Sequence, residues 1–301
     1  MRLFLVYNPR ARLARRVSAQ ALGEELTRLG AEVQLCEAGE GDEALRAAQQ
    51  AVKAGVDRIV VAGGDGAVHA VLPALAGTQV PLAVIPLGTG NVLACEAGLR
   101  RGAWRRACQV AVGDHLVRLD LGRAGGHLFA TMFGAGLDAC VVEDLGDRTK
   151  HQFGRLAFIG QLLRTLGRCQ PARFRLRLDD QEQEVSAWTV LVSNTARYAW
   201  RLRFAPEASP SDGWLDVSVF RFASRPSVAA QGALCFLLSS PDLCPSVQGF
   251  RTRKLRIETD RPVPWQADGE LGGHTPVEIE VVPQALTVVL GDDTCGLSRG
   301  R

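Results

Sequence analysis

Three short stretches hold the residues best suited to chemistry. Gly63-Gly64-Asp65-Gly66 and Pro86-Leu87-Gly88-Thr89-Gly90-Asn91 are glycine loops, and Gln266-Ala267-Asp268-Gly269-Glu270 is an acidic turn. The first loop follows Ile59-Val60-Val61-Ala62, an unbroken apolar run of the kind shown by a strand buried on both faces. It leads into Ala67-Val68-His69-Ala70-Val71-Leu72, which reads as the start of a helix. Strand, glycine loop and helix in that order aim backbone N–H groups at an anion, and glycine permits close approach. A carboxylate beside such a cradle repels phosphate unless a cation lies between them. Asp65 therefore suggests a magnesium-bound phosphate, while a tight turn with an aspartate helix cap explains the same residues equally well.

The second loop follows an apolar run at Val80–Ile85 and enters a helix at Val92–Ala97. In an open α/β sheet, ligands bind beyond the carboxyl ends of the strands. Two glycine loops at one such edge point to a nucleotide site. Neither GxGxxG nor GxxxxGK[ST] is present. Asp120-Leu121-Gly122 and Asp212-Gly213-Trp214-Leu215-Asp216-Val217 add carboxylates, each of which alone reads as a solvated turn. His69 reads as structural, and His115, His127, His151 and His274 show no metal spacing with the cysteines.

The elements that must position these stretches alternate at first. Strands are expected at Arg2–Tyr7, Ala31–Cys36, after Asp57 and at Val80–Ile85, with helices at Arg12–Leu29, Asp42–Ala54 and Ala67–Leu75. That is an α/β, doubly wound pattern around a mainly parallel sheet. The character changes near residue 120. Beyond it the sequence predicts strands at His115–Gly122, His127–Phe133, Arg173–Leu178, Glu184–Ser193, Leu215–Phe220, Leu255–Thr259, Val277–Val282 and Ala285–Leu290. Helices are expected at Gly134–Leu145, Lys150–Leu166 and Pro226–Leu238. The expected organisation is an α/β nucleotide-binding domain over residues 1–120 and a mostly antiparallel β-sandwich over 121–292. The last strand is free to return to the first domain, and 293–301 form a disordered tail.

With 301 residues and a formal net charge of +3, the chain lacks the strong basic excess of a nucleic-acid binder. Its eight cysteines include no C-x-x-C pair, as expected of reduced thiols in a cytoplasm. Leu3–Tyr7 is too short for a signal-peptide core, and the run at Ala233–Leu238 is too short to span a bilayer. The helix from Lys150 carries Arg155, Arg164 and Arg168 beside Phe153, Leu156, Phe158, Ile159, Leu162 and Leu163. With Trp200, Arg201 and Arg203 it could meet an anionic membrane surface, although a core-facing helix with a solvated basic face fits too.

Taken in order, Asn8-Pro9, the two glycine loops, Asp120-Leu121-Gly122, Gly134-Ala135-Gly136-Leu137-Asp138-Ala139, the Asp212–Val217 turn and Asp268-Gly269-Glu270 resemble the diacylglycerol kinase catalytic family. That family includes sphingosine and ceramide kinases and bacterial lipid kinases. The resemblance spans about residues 3 to 290. It implies an ATP- and Mg2+-dependent kinase that phosphorylates a lipid hydroxyl, most simply diacylglycerol to phosphatidic acid. Its site would lie in a cleft between a nucleotide domain and a β-rich lipid-substrate domain. It implies that Gly63, Gly64, Asp65 and Gly66 hold phosphates and magnesium, and that Asn8, Gly88, Thr89 and Asn91 line the nucleotide pocket. It implies Asp268 as general base with Glu270 near magnesium, and Asp120 as a water-mediated magnesium partner. Asp212 and Asp216 could bind a structural cation or simply fold their turn.

Two positions depart from the family's pattern: Ala67 stands where Thr or Ser is usual, and Val92 where many members have Asp. An NAD kinase-like phosphotransferase and a catalytically weakened nucleotide-binding regulator are the alternatives. The expected partners are a membrane lipid and, transiently, the inner membrane surface, with no nucleic acid. A homodimer is left open.

Overall fold

The structure is a computed structural model that describes residues 1–38, 41–150, 155–179, 181–198, 204–238 and 246–291, without the side chains of 146–159 and 232–238. Two compact units divide the chain, one of Met1–Asp120 with the segment from Pro283 onward and the other of Leu121–Val282.

The first unit runs β1 (Arg2–Tyr7), α1 (Ala19–Arg28), β2 (Glu32–Cys36), α2 (Asp42–Lys53), β3 (Arg58–Gly63), α3 (Asp65–Leu75), β4 (Leu82–Pro86), α4 (Val92–Glu96), α5 (Trp104–Ala111) and the first part of β5 (Leu116–Ala124). Its strands pair in the order β2-β1-β3-β4, all parallel. β3 and β4 are buried along their whole length, which is why their sequences show no alternation.

The helix expected over Arg12–Leu29 begins only at Ala19. Ser18 ends the preceding turns by accepting the Ala21 N–H on its hydroxyl at 3.2 Å. Residues before it fold back instead: the Tyr7 hydroxyl donates to the Val17 carbonyl at 2.9 Å. The Leu13 N–H donates to the Leu87 carbonyl, also at 2.9 Å. The helical spacing at Leu13 and Val17 is therefore overridden by tertiary hydrogen bonds, one of them to the second glycine loop.

The second unit adds β6 (His127–Phe129), β7 (Met132–Gly136), α6 (Leu137–Lys150), α7 (Arg155–Arg168), β8 (Ala172–Leu178), β9 (Gln181–Ala187), β10 (Thr189–Ser193), β11 (Leu215–Phe220), α8 (Arg225–Leu238), β12 (Val247–Thr252), β13 (Lys254–Thr259), β14 (Pro264–Ala267), β15 (Glu270–His274) and the first part of β16 (Val277–Val289). One antiparallel sheet has the order β12-β11-β10-β7-β14-β15, and β9, β8, β13 and β16 form an antiparallel second layer. Phe129, Phe133, Phe174, Ile257, Trp265 and Ile279 lie in the core that both sets of strands bury. β8 alternates buried and exposed residues throughout, as its Arg-x-Arg-x-Arg spacing predicts. The unit is thus a β-sandwich with helices.

The helix expected from Lys150 to Leu166 is α7, which starts at Arg155, while Lys150 instead closes α6. The side chains expected to give that helix its membrane-facing character before residue 160, together with Trp200, Arg201, Arg203 and the tail from 292, lie outside the described residues. Among the described residues no helix is long and apolar enough to cross a membrane.

Candidate functional site

In the first unit the two glycine loops interlock. The N–H groups of Leu87 and Gly88 both donate to the Gly63 carbonyl, at 2.9 and 3.1 Å. A Cβ on Gly63 would stand 2.6 Å from that of Ala67, and one on Gly64 would stand 3.2 Å from the Gly88 Cα. Glycine is needed here because two backbones touch. Asn91 adopts a left-handed conformation with φ of 53°. Its side chain closes the loop on itself, accepting the Gly88 N–H and donating to the Gly88 carbonyl, both at 2.9 Å.

Asp65 completes the arrangement from the first turn of α3. Its carboxylate accepts the N–H of Asn91 at 2.7 Å and of Val92 at 2.6 Å. It therefore caps α4 in trans, a task that the left-handed Asn91 leaves undone. α3 itself starts at Gly64 with no side-chain cap, so the positive end of its dipole lies at the first glycine loop. Asn8 is buried behind the loops. Its N–H donates to the Ala62 carbonyl at 2.9 Å and its Oδ1 accepts the Arg10 N–H at 2.8 Å. Thr89 is half-buried beside Gly90. Asp120 is buried, and its Oδ1 accepts the Gln284 N–H at 2.7 Å. Ala67 and Val92, the two departures, are both buried.

In the second unit the acidic turn links β14 to β15, with Asp268 and Gly269 both left-handed at φ of 50° and 88°. The Asp268 carboxylate accepts the N–H groups of Ala130 at 2.6 Å, Thr131 at 2.9 Å and Met132 at 3.0 Å, and the Thr131 hydroxyl. Glu270 follows at the start of β15 and is half-buried.

Behind this turn lies a polar group to which the sequence assigned no role. Asp138 accepts the Tyr198 hydroxyl on one oxygen and the Gln266 amide on the other, the latter at 2.7 Å. Burial pushes the Asp138 carboxyl up, against the pull of those two hydrogen bonds. Burial and the Asp138 charge push the Tyr198 phenol well above its ordinary value. An aspartate following a Gly-x-Gly-Leu stretch at a strand end was the available signal; its partners were not visible in the sequence.

Asp212 sits in the turn before β11, and Asp216 is the second residue of that strand. Asp212 accepts the Trp214 N–H at 3.0 Å and pairs with Arg251. Asp216 is pushed up to about 6, first by burial and then by Asp212 and Glu207 against the opposing Arg251. Its Oδ2 is buried without a hydrogen-bond partner. Among the described residues, no three or more His, Cys, Asp or Glu side chains are grouped as a metal site. Asp65 accepts a backbone N–H on each carboxylate oxygen, and Asp120 accepts one on Oδ1. The orphaned oxygen of Asp216, beside a second carboxylate, is the better fit for a structural cation.

Residues 2–124 match the diacylglycerol kinase catalytic domain, and residues 131–290 match the YegS C-terminal NAD kinase beta sandwich-like domain. The chain is 33% identical over 257 residues to a protein of Mycobacterium tuberculosis named "Diacylglycerol kinase", covering 83% of this chain and 82% of that one. It is 26% identical over 263 residues to "Probable lipid kinase YegS-like" of Chromohalobacter salexigens, covering 86% and 84%. The crystal structure of a diacylglycerol kinase from Bacillus anthracis str. Sterne shares the fold with a TM-score of 0.72 at 20% identity, covering 97% of this chain and 98% of that one.

Proposed function

Because this chain belongs to the diacylglycerol kinase catalytic-domain family and is a lipid kinase, we propose that it transfers the γ-phosphate of Mg-ATP to the free hydroxyl of diacylglycerol, giving phosphatidic acid. The observation that carries the choice of acceptor is the 33% identity, over most of both chains, to a relative named for diacylglycerol. The first-turn N–H groups of α3, uncapped by any side chain, receive the nucleotide phosphates. Gly88, Thr89 and Asn91 form the facing wall, with Asn8 bracing the loops from behind. Magnesium arrives with ATP and neutralises phosphate charge, while Asp216 with Asp212 holds a separate structural cation.

The acidic turn supplies the group that meets the hydroxyl. With four donors on its carboxylate, Asp268 is assigned as the anchor that fixes the turn, and Glu270, two residues on at the start of β15, is assigned to orient the hydroxyl and take its proton. The family resemblance implies Asp268 as the base and Glu270 near magnesium; the assignment proposed here gives Asp268 the anchoring role and Glu270 the proton. Phosphoryl transfer asks little covalent chemistry of a protein and a great deal of positioning, which suits a turn pinned in this way. Leu163 and Arg164 are exposed on α7, and we assign that face to contact with an anionic membrane surface.

NAD is the second acceptor to consider, since the C-terminal match is to an NAD kinase beta sandwich-like domain. The test offers radiolabelled ATP with vesicles containing diacylglycerol, ceramide, sphingosine or phosphatidylglycerol, and separately with NAD. Labelled phosphatidic acid is expected. Glu270→Gln should lower kcat by about 10²- to 10⁴-fold, as loss of a general base does. Label on NAD alone would overturn the lipid acceptor, and tight ATP binding with no labelled acceptor would mark a regulator.

A further inference from the structure

We propose that Asp138 is a positioning residue for the acidic turn, acting through Gln266 on the backbone of Gly269; this rests on the lipid-kinase reading of that turn. The contacts run in one line. The Gly269 N–H donates to Gln266 Oε1 at 2.7 Å, and Gln266 Nε2 donates to Asp138 Oδ2 at 2.7 Å. The Tyr198 hydroxyl donates to the remaining Asp138 oxygen.

Polarity makes this line directional. Both Asp138 oxygens accept here, whereas a glutamine amide has one accepting and one donating end. Asp138 thus forces the Gln266 N–H2 toward itself and the Gln266 oxygen toward Gly269. Gln266 is only 2% exposed, so no water competes for either end. Flipping the amide would set its N–H2 against the Gly269 N–H and leave buried donors unsatisfied.

The turn needs such a hold. Asp268 is a non-glycine residue in the left-handed region, a conformation that persists only where surrounding contacts over-determine it. The N–H groups of residues 130–132 fix it from one side, and Gln266 fixes Gly269 from the other. Glu270 follows directly, so its carboxylate is aimed by both. The space for the line is also reserved: a Cβ on Gly134 would collide with Asp138 Oδ2 and stand 2.9 Å from Gln266 Nε2.

The test exchanges donor and acceptor across the pair. Gln266→Glu puts a second carboxylate against Asp138, and adding Asp138→Asn restores a donor facing an acceptor at unchanged total charge. The single variant should lose about 10- to 100-fold in kcat, the scale of a misplacement of about 1 Å, with KM for ATP and lipid held within about twofold. The double variant should regain most of that loss. An unchanged kcat in the folded single variant, or no recovery in a double variant of wild-type melting temperature, would overturn the proposal. Amide exchange at Gly269 gives a reading independent of activity. Slow exchange in the wild type that becomes fast in Gln266→Leu supports the line, and fast exchange in the wild type refutes it. A wild type that phosphorylates no lipid would defeat the proposed function, while the exchange data would still decide whether Asp138 and Gln266 hold the turn.

Discussion

Asp65 caps the helix that follows Asn91, although the two residues lie on different glycine loops: its carboxylate takes the Asn91 N–H at 2.7 Å and the adjacent Val92 N–H at 2.6 Å. The shape of the second loop therefore depends on a charge located in the first. Hydrogen bonds to a charged group contribute about 1.5–3 kcal/mol each, so Asp65→Ala should loosen the second loop well before it unfolds the domain. ATP affinity should drop by about 10- to 100-fold, measured by isothermal titration with a non-hydrolysable analogue. Asp65→Asn, which keeps one acceptor, should fall between. Unaltered affinity in Asp65→Ala would remove this residue from the nucleotide site.

Close approach of backbones predicts a sharp contrast among glycines. A Cβ at Gly88 would press on the Gly64 Cα and lie 2.9 Å from Asn91 Oδ1, and one at Gly90 would lie 2.5 Å from Asp65 Oδ2. Gly88→Ala and Gly90→Ala should each cost about 1–3 kcal/mol, as overpacking does. Gly23, within α1, has nothing within 4 Å of an added Cβ. Gly23→Ala should stabilise by up to about 1 kcal/mol through helix propensity. Urea titrations of the three variants check the signs.

Asp216 sets a pH dependence of stability whose direction follows from its raised pKa of about 6. The folded chain keeps a proton that the unfolded chain has released, so stability falls as pH rises from the ordinary aspartate range toward 6 and stays lowered above it. In chelator-treated buffer, Asp216→Asn should abolish this slope. It should match the wild type in stability near pH 4 and exceed it at pH 7.5. A wild-type urea midpoint that rises across the same window would contradict the assignment.

The thiols should separate by environment. Cys108 is buried in α5, and burial pushes its thiol up to about 12. Cys169 is half-buried, and a hydrogen bond from Cys140 pulls its thiol down. Because the thiolate is the nucleophile, iodoacetamide at pH 8 should modify Cys169 in the native protein and leave Cys108 until denaturation. Mass spectrometry of timed digests reads the order; early labelling of Cys108 would show that α5 opens readily.

Much of this protein is determined by its sequence alone, because the controlling interactions are local. Unbroken apolar runs at β3 and β4 make strands buried on both faces, the alternating arginines of β8 make a half-exposed strand, and glycine punctuates the loops beyond β3 and β4. Those periodicities place the two kinds of sheet, and the motifs in their order carry the resemblance to the family. Local spacing misled where a distant partner won, as at Leu13, whose N–H goes to the Leu87 carbonyl instead of joining a helix. What only tertiary structure decided is which polar group meets which. Asp268 finds its donors at residues 130–132 because β7 and β14 are neighbours in one sheet, which carries the chain ends around that turn past each other. Asp138 meets Gln266 through the same pairing and Tyr198 through the loop beyond β10, the other neighbour of β7, and no spacing in the chain announces either partner. A side chain's hydrogen-bond partner across more than a hundred residues is set by strand order, and strand order is settled by burying the whole core at once.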